Sequence, residues 1–216
     1  MFASIRRYRL AQGSMDELTR RVDEGFAEQI SQQPGFVSYE FIDCGDGEVM
    51  TISVFSGADQ AEASRDLAQR WTEEHLRDLE FTRLEMLRGE ILVSRAAEDM
   101  LAPGHVGGAG RFASVRRYRQ GSGSISDLMH TIDERFADGI QAMEGFAAYH
   151  VLDCGAGEIL SISLFRDQSA AEDSDDLALA FVREELAPFD IDRTEVVGGT
   201  IAVSCAMAQL LEPAHA

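Results

Sequence analysis

Phe2-Ala3-Ser4-Ile5-Arg6-Arg7-Tyr8-Arg9 returns 110 residues later as Phe112-Ala113-Ser114-Val115-Arg116-Arg117-Tyr118-Arg119. The offset runs on without a gap through Gly35-Phe36 and Gly145-Phe146, through Asp43-Cys44-Gly45 and Asp153-Cys154-Gly155, and still holds at Pro103 and Pro213. About 44 of 104 aligned positions are identical. The chain is therefore a duplication, and a repeat must be identified before anything else is read. Residues 1–105 and 112–216 are expected as two units, joined by a Gly-rich linker at 106–111.

Each copy carries the same succession of signals. Residues 2–10 suit a strand. Ser14 with Glu17 three positions on is a capping-box start, and Met15, Leu18, Val22, Phe26 and Ile30 follow at helical spacing. Pro34-Gly35 ends that helix. Residues 36–43 and 48–55 are two strands joined by a Gly-containing turn that requires positive φ. Asp59 with Glu62, and Ser169 with Glu172, are expected to open a second helix, whose apolar side uses Ala61, Leu67, Ala68, Trp71 and Leu76. Residues 82–94 form the last strand, kinked at Gly89, and a short helical tail covers 95–101. The order β-α-β-β-α-β is the ferredoxin-like unit, an α+β arrangement with helices on one face of an antiparallel sheet. Its other face needs a cover. Tandem copies supply one if the two bare faces meet and close an α+β barrel inside the chain.

All 19 basic residues are Arg, against 38 acidic ones, giving a formal charge of −19. The charge is spread over both copies, −9 for residues 2–105 and −11 for 112–215. Without Lys there is neither a Schiff-base nucleophile nor a P-loop. So negative a chain is not expected to bind nucleic acid or an anionic membrane. Three Cys make no disulfide framework, and no leader or membrane-length apolar run is visible. A cytoplasmic protein with reduced thiols is the expectation.

Arg7-Tyr8-Arg9-Leu10-Ala11-Gln12-Gly13-Ser14, the amphipathic helix, Pro34-Gly35-Phe36-Val37-Ser38-Tyr39 and the hairpin together resemble the antibiotic biosynthesis monooxygenase domain of the dimeric α+β barrel superfamily. The likeness covers both copies, and its motifs belong to the fold rather than to a reaction. It implies a cavity for a small molecule. One function it implies is a cofactor-independent monooxygenase acting on an aromatic or enol-like acidic substrate. Another is a ligand-binding or structural protein without turnover, and a third is haem binding or degradation. Haem-degrading members use an Asn, a Trp and a His; Trp71 and His75 share a helix face here, but the chain has no Asn, and the second copy has Phe181 and Glu185 at those places.

Strand alternation proposes the lining. Met50, Ile52 and Val54 are assigned to the helices, so Val49, Thr51, Ser53 and Phe55, with Ile159, Ser161, Ser163 and Phe165, are assigned to the barrel interior. Ser4, Arg6 and Tyr8, and Ser114, Arg116 and Tyr118, go with them; in the opposite phase Arg7 and Arg117 would point inward instead. Arg6 or Arg116 would neutralise a carboxylate or phenolate. Ser4, Ser114, Thr51, Ser161, Ser53 and Ser163 would add hydrogen bonds. Tyr8, Tyr118, Glu40 and His150 are the candidates for proton transfer. A buried Arg in an acidic protein otherwise requires a carboxylate, for which Glu85 and Glu195 stand on the adjacent strand. The acidic run Glu172-Asp173-Ser174-Asp175-Asp176 reads as a solvated helix face. No metal site or cofactor is expected. A small-molecule ligand is the expected partner, and free strand edges leave a homodimer open.

Overall fold

The computed structural model describes residues 1–101 and 110–215; residues 106–109 of the expected linker lie outside the described residues. The first copy is built from β1 (Phe2–Gln12), α1 (Met15–Arg21), α2 (Ala27–Ser31), β2 (Phe36–Gly45), β3 (Glu48–Phe55), α3 (Ala58–His75) and β4 (Glu80–Ala96). The second repeats it as β5 (Phe112–Gln120), α4 (Ile125–Ile132), α5 (Asp138–Gln141), β6 (Phe146–Gly155), β7 (Glu158–Phe165), α6 (Gln168–Glu185) and β8 (Ile191–Ala206). The fold is α+β, with tandem ferredoxin-like units, and its hydrogen-bonded strand order β1-β3-β2-β8-β5-β7-β6-β4 is that of a closed barrel. No described helix is long and apolar enough to cross a membrane.

Local chemistry explains the elements. Ser14 caps α1 by accepting the Glu17 N–H, and Ser124 caps α4 by accepting that of Asp127. Each leaves one of the helix's first N–H groups satisfied. A π-helical turn, Val22–Phe26 or Asp133–Ala137, joins the short helices. The second long helix starts earlier than the sequence suggests. Asp167, not Ser169, caps α6 by accepting the Ala170 N–H, and extended Gly57, not Asp59, precedes α3. The hairpins turn through Gly45, Asp46 and Gly47 and through Gly155, Ala156 and Gly157, all at positive φ.

The last strand of each copy does more than complete its own sheet. By compactness the chain divides into Met1–Arg88 with Leu101–Gly110 and Gly199–Leu210, and Gly89–Met100 with Arg111–Gly198 and Leu211–Ala216. These units do not coincide with the repeats, because β4 and β8, of 17 and 16 residues, are each divided near a glycine. In the first unit β2 pairs with the C-terminal half of β8, from Ser38↔Ala206 to Asp43↔Thr200. In the second, β6 pairs with the C-terminal half of β4, from Glu90↔Asp153 to Ala96↔Ala148. Gly89 is less a kink than a close approach. A Cβ there would sit 2.5 Å from the Asp153 carbonyl, and one at Gly199 would sit 2.4 Å from that of Asp43. The register irregularity itself falls between Ile91 and Val93.

Within the first unit the helix-covered core comprises Leu18, Val22, Phe26, Ile30, Tyr39, Phe41, Val49, Phe55, Trp71 and Val203 among others. This reverses the expected phase of the strands. Val49 and Phe55 pack with the helices, and Met50, Ile52 and Val54 lie on the opposite face. Both faces are buried, Met50, Ile52 and Val54 as completely as their neighbours. Alternation separates two faces, but it cannot say which one meets a helix when neither meets water.

Candidate functional site

The first unit holds a cavity between its sheet and its own helices, lined by Arg6, Tyr8, Tyr39, Thr51, Trp71 and Phe81 with Val22, Phe26, Phe41, Ala68, Thr72 and Leu76. Register explains the convergence. Ser4 stands opposite Ser53, Arg6 opposite Thr51 and Tyr8 opposite Val49 across β1 and β3. Tyr39 and Phe41 on β2 face the same residues, Ser53 and Thr51, from the other side. Ser4, Arg6, Tyr8, Thr51 and Ser53 therefore come together as the sequence suggests, but beneath the helices rather than inside the barrel.

The second unit has a matching cavity lined by Tyr118, Tyr149, Ser161, Phe181 and Ile191, with Leu128, Ile132, Phe136, Val151, Ile159, Ala178, Val182 and Leu186. Each cavity measures about 30 Å3, room for one or two waters. Anything larger needs the walls to part. Ring packing builds those walls. Tyr8 stacks on Phe81 at 4.5 Å between centroids, and Phe26 tilts against Trp71 at 5.3 Å. Gly25 admits the indole, since a Cβ there would lie 3.4 Å from Trp71 Nε1; the second copy has Arg135 and Phe181 at the matching positions.

The two arginines live in different surroundings. Arg116 is fully buried and all three of its nitrogens are engaged. Nε donates to Asp175 Oδ1 at 2.6 Å, Nη1 to Ser163 Oγ at 2.9 Å and Nη2 to Ser174 Oγ at 2.5 Å. Ser114 Oγ donates to the same Asp175 oxygen at 2.7 Å. The expected carboxylate for this guanidinium was on β8; it is on α6 instead, within the run read as a solvated face. Arg6 is 2% exposed, and its one side-chain bond among the described residues is a long one, from Nη1 to Ser53 Oγ at 3.4 Å. Arg6 Nε, Arg6 Nη2 and Ser4 Oγ find no partner among the described residues. Glu85 instead lies 4.0 Å from Arg7. Burial pushes the Arg6 pKa down, and Arg83 and Arg88 add to that from nearby. A guanidinium nevertheless stays charged at any ordinary pH.

The proton-transfer candidates separate. Burial raises the pKa of Tyr8, Tyr118 and Tyr39, so these phenols stay protonated and act as donors. Glu40 and His150 stand opposite Ile52 and Ile162, on the faces away from the helices, and so do not join the tyrosines. Burial alone pushes His150 down to about 4, and its Nδ1 lies 3.0 Å from Ser94 Oγ. Trp71 forms cavity wall, whereas His75 is exposed, stacks on the indole at 5.0 Å and directs Nδ1 to the Trp71 carbonyl at 3.1 Å. The thiols of Cys44, Cys154 and Cys205 are pushed up by burial to about 11, 12 and 12. Those values make them poor nucleophiles at neutral pH.

No family model and no curated protein matches the chain. Solved structures do. A protein of Lactobacillus acidophilus NCFM, provisionally named a monooxygenase, superposes with a TM-score of 0.68 at 9% identity, covering 98% of this chain and 97% of that one. A second provisional monooxygenase, from Fusobacterium nucleatum, gives 0.66 at 7% identity, over 99% and 94%. An anthrone oxidase-like protein gives 0.56 at 12% identity, over 97% and 95%. The chain thus has the tandem ferredoxin-like α+β barrel fold of these structures.

Proposed function

We propose that the cavity of the first unit binds a small aromatic or enol-like acid and that the protein is a cofactor-independent monooxygenase. The observation carrying this reading is Arg6, a buried cation with two unpartnered nitrogens in a wall otherwise made of rings and aliphatic groups. Leaving a buried charge unpaired is strongly destabilising, and an anionic ligand would remove that penalty. The ligand's anionic group would accept from Arg6 and Ser4, while Tyr8 and Trp71 pack on its ring. The lining contains no carboxylate or His, so the substrate must arrive ionised or be ionised by Arg6 stabilising its enolate. The carbanion then reduces dioxygen: a CH2 becomes C=O, and the second oxygen atom leaves as water. Three free thiols suit a reducing cytoplasm.

The test is oxygen uptake with an anthrone in air-saturated buffer. Uptake above the buffer rate that disappears in Arg6→Met is the expected result. Uptake at the buffer rate removes the monooxygenase reading. The second reading, a binding protein without turnover, is favoured by the small volume of the cavity. It is tested by calorimetry with benzoate against benzamide: the acid binds and the amide does not. Failure of both compounds removes the ligand site altogether.

A further inference from the structure

We infer that Asp175 is a built-in counter-ion that fills, in the second unit, the position a ligand's carboxylate takes on Arg6 in the first, so that the chain binds one acidic ligand rather than two. This rests on the reading of Arg6 as a ligand-binding group. The evidence is a donor-by-donor correspondence between the copies. In the second unit, Ser114 Oγ and Arg116 Nε both donate to Asp175 Oδ1, and Arg116 Nη2 donates to Ser174. Their counterparts in the first unit are Ser4 Oγ, Arg6 Nε and Arg6 Nη2, and these are the donors without a partner. One acceptor oxygen, placed as Asp175 Oδ1 is placed, would satisfy the first two.

The residue matching Asp175 at the 110-residue offset is Arg65. It turns out to solvent and pairs with Glu62 at 2.8 Å. A single position on the second helix thus decides whether the arginine below it is spent or available. Where it is Asp, the remaining cavity is ringed by apolar groups with Tyr118, Tyr149 and Ser161 as its polar members, and it suits an uncharged ligand. Where it is Arg, the seam between β1 and α3 admits an anion and excludes a neutral isostere, since the buried donors would stay unpaired.

Benzoate is the probe, titrated into the intact chain by calorimetry, with benzamide as control. The wild type should bind one benzoate per chain. Asp175→Ala should bind two, and Asp175→Ala with Arg116→Gln should return to one. Arg65→Asp supplies the missing carboxylate to Arg6 and should weaken the wild-type site about tenfold to a hundredfold. That variant touches only an exposed position, so it tests the idea even if Asp175→Ala does not fold. Wild-type binding that survives Arg65→Asp with unchanged affinity, or a folded Asp175→Ala chain that still takes one benzoate, overturns the inference and leaves the Arg6 site intact. Absence of benzoate binding in the wild type and in Asp175→Ala alike overturns both.

Discussion

Arg6 and Arg116 show that two copies of one residue can carry opposite energetic signs. Arg116 is a satisfied ion pair, with a partner 29% exposed. Arg6 is a desolvated charge whose neighbours answer one nitrogen of three. Replacing buried ions with apolar side chains of similar volume is often stabilising, whereas breaking a good pair is not. Arg6→Met should therefore stabilise the ligand-free protein by about 1–4 kcal/mol while abolishing benzoate binding. Arg116→Met should destabilise it, because Asp175 and Ser174 lose their donor. Chemical denaturation of the two variants, without ligand, measures the difference, and equal losses from both would contradict it.

His150 makes a second prediction at the same scale. Its imidazole falls from 6.5 to about 4 on folding because burial disfavours the charged form. The unfolded chain then binds more protons between about pH 6.5 and 4, so stability is full above that window and falls as pH falls through it. The loss from this one group is roughly 3 kcal/mol at the bottom of the window. His150→Gln should flatten the decline relative to wild type while leaving other acid-sensitive groups in place. Urea midpoints at pH 7.5 and 5 in both proteins test this; parallel decline would show that His150 is not the group responsible.

At the scale of elements, glycine position decides how closely strands approach. The Cβ of Gly89→Ala would meet backbone, the Asp153 carbonyl at 2.5 Å and its carbon at 2.9 Å, and backbone cannot rotate away. An overpacking loss of about 1–3 kcal/mol is expected. Gly139 in α5 has nothing within 4 Å of an added Cβ, so Gly139→Ala should stabilise by up to about 1 kcal/mol through helix propensity. Paired thermal melts compare the two, and a neutral Gly89→Ala would mean that β4 and β6 have room to separate. The helices also explain two exceptions on a face that is otherwise solvated as expected, at Glu172, Asp173 and Asp176. The run 172–176 looks like a charged, solvated face, yet Ser174 is buried and Asp175 turns onto Arg116. Helical periodicity gives the angle of a side chain about its axis, but not the reach of a guanidinium from the sheet below.

At the scale of the molecule, the compact units and the repeats are different partitions of the chain. Residues 1–105 carry β2 without residues 199–206, the strand that pairs with it. Expressed alone, that copy would present an unpaired edge beside buried Phe41 and Ile42, a template for association. It should self-associate rather than remain a folded monomer, as light scattering with circular dichroism would show. A monodisperse, cooperatively melting monomer would be the contrary result.

The sequence alone determined the duplication, the β-α-β-β-α-β order, the cap at Ser14 and the positive-φ hairpins, because each follows from local residue types at fixed spacing. It also placed Ser4, Arg6, Tyr8, Thr51 and Ser53 on one face of the sheet, because strand pairing keeps alternate residues together. Only the tertiary structure decided which face of each strand the helices cover. It also moved Glu40 and His150 away from the tyrosines and gave Arg116 a carboxylate that Arg6 lacks. The reason is common to all three: a strand buried on both faces carries no polarity to mark its orientation, and contacts between residues about 60 positions apart are fixed by packing rather than by spacing.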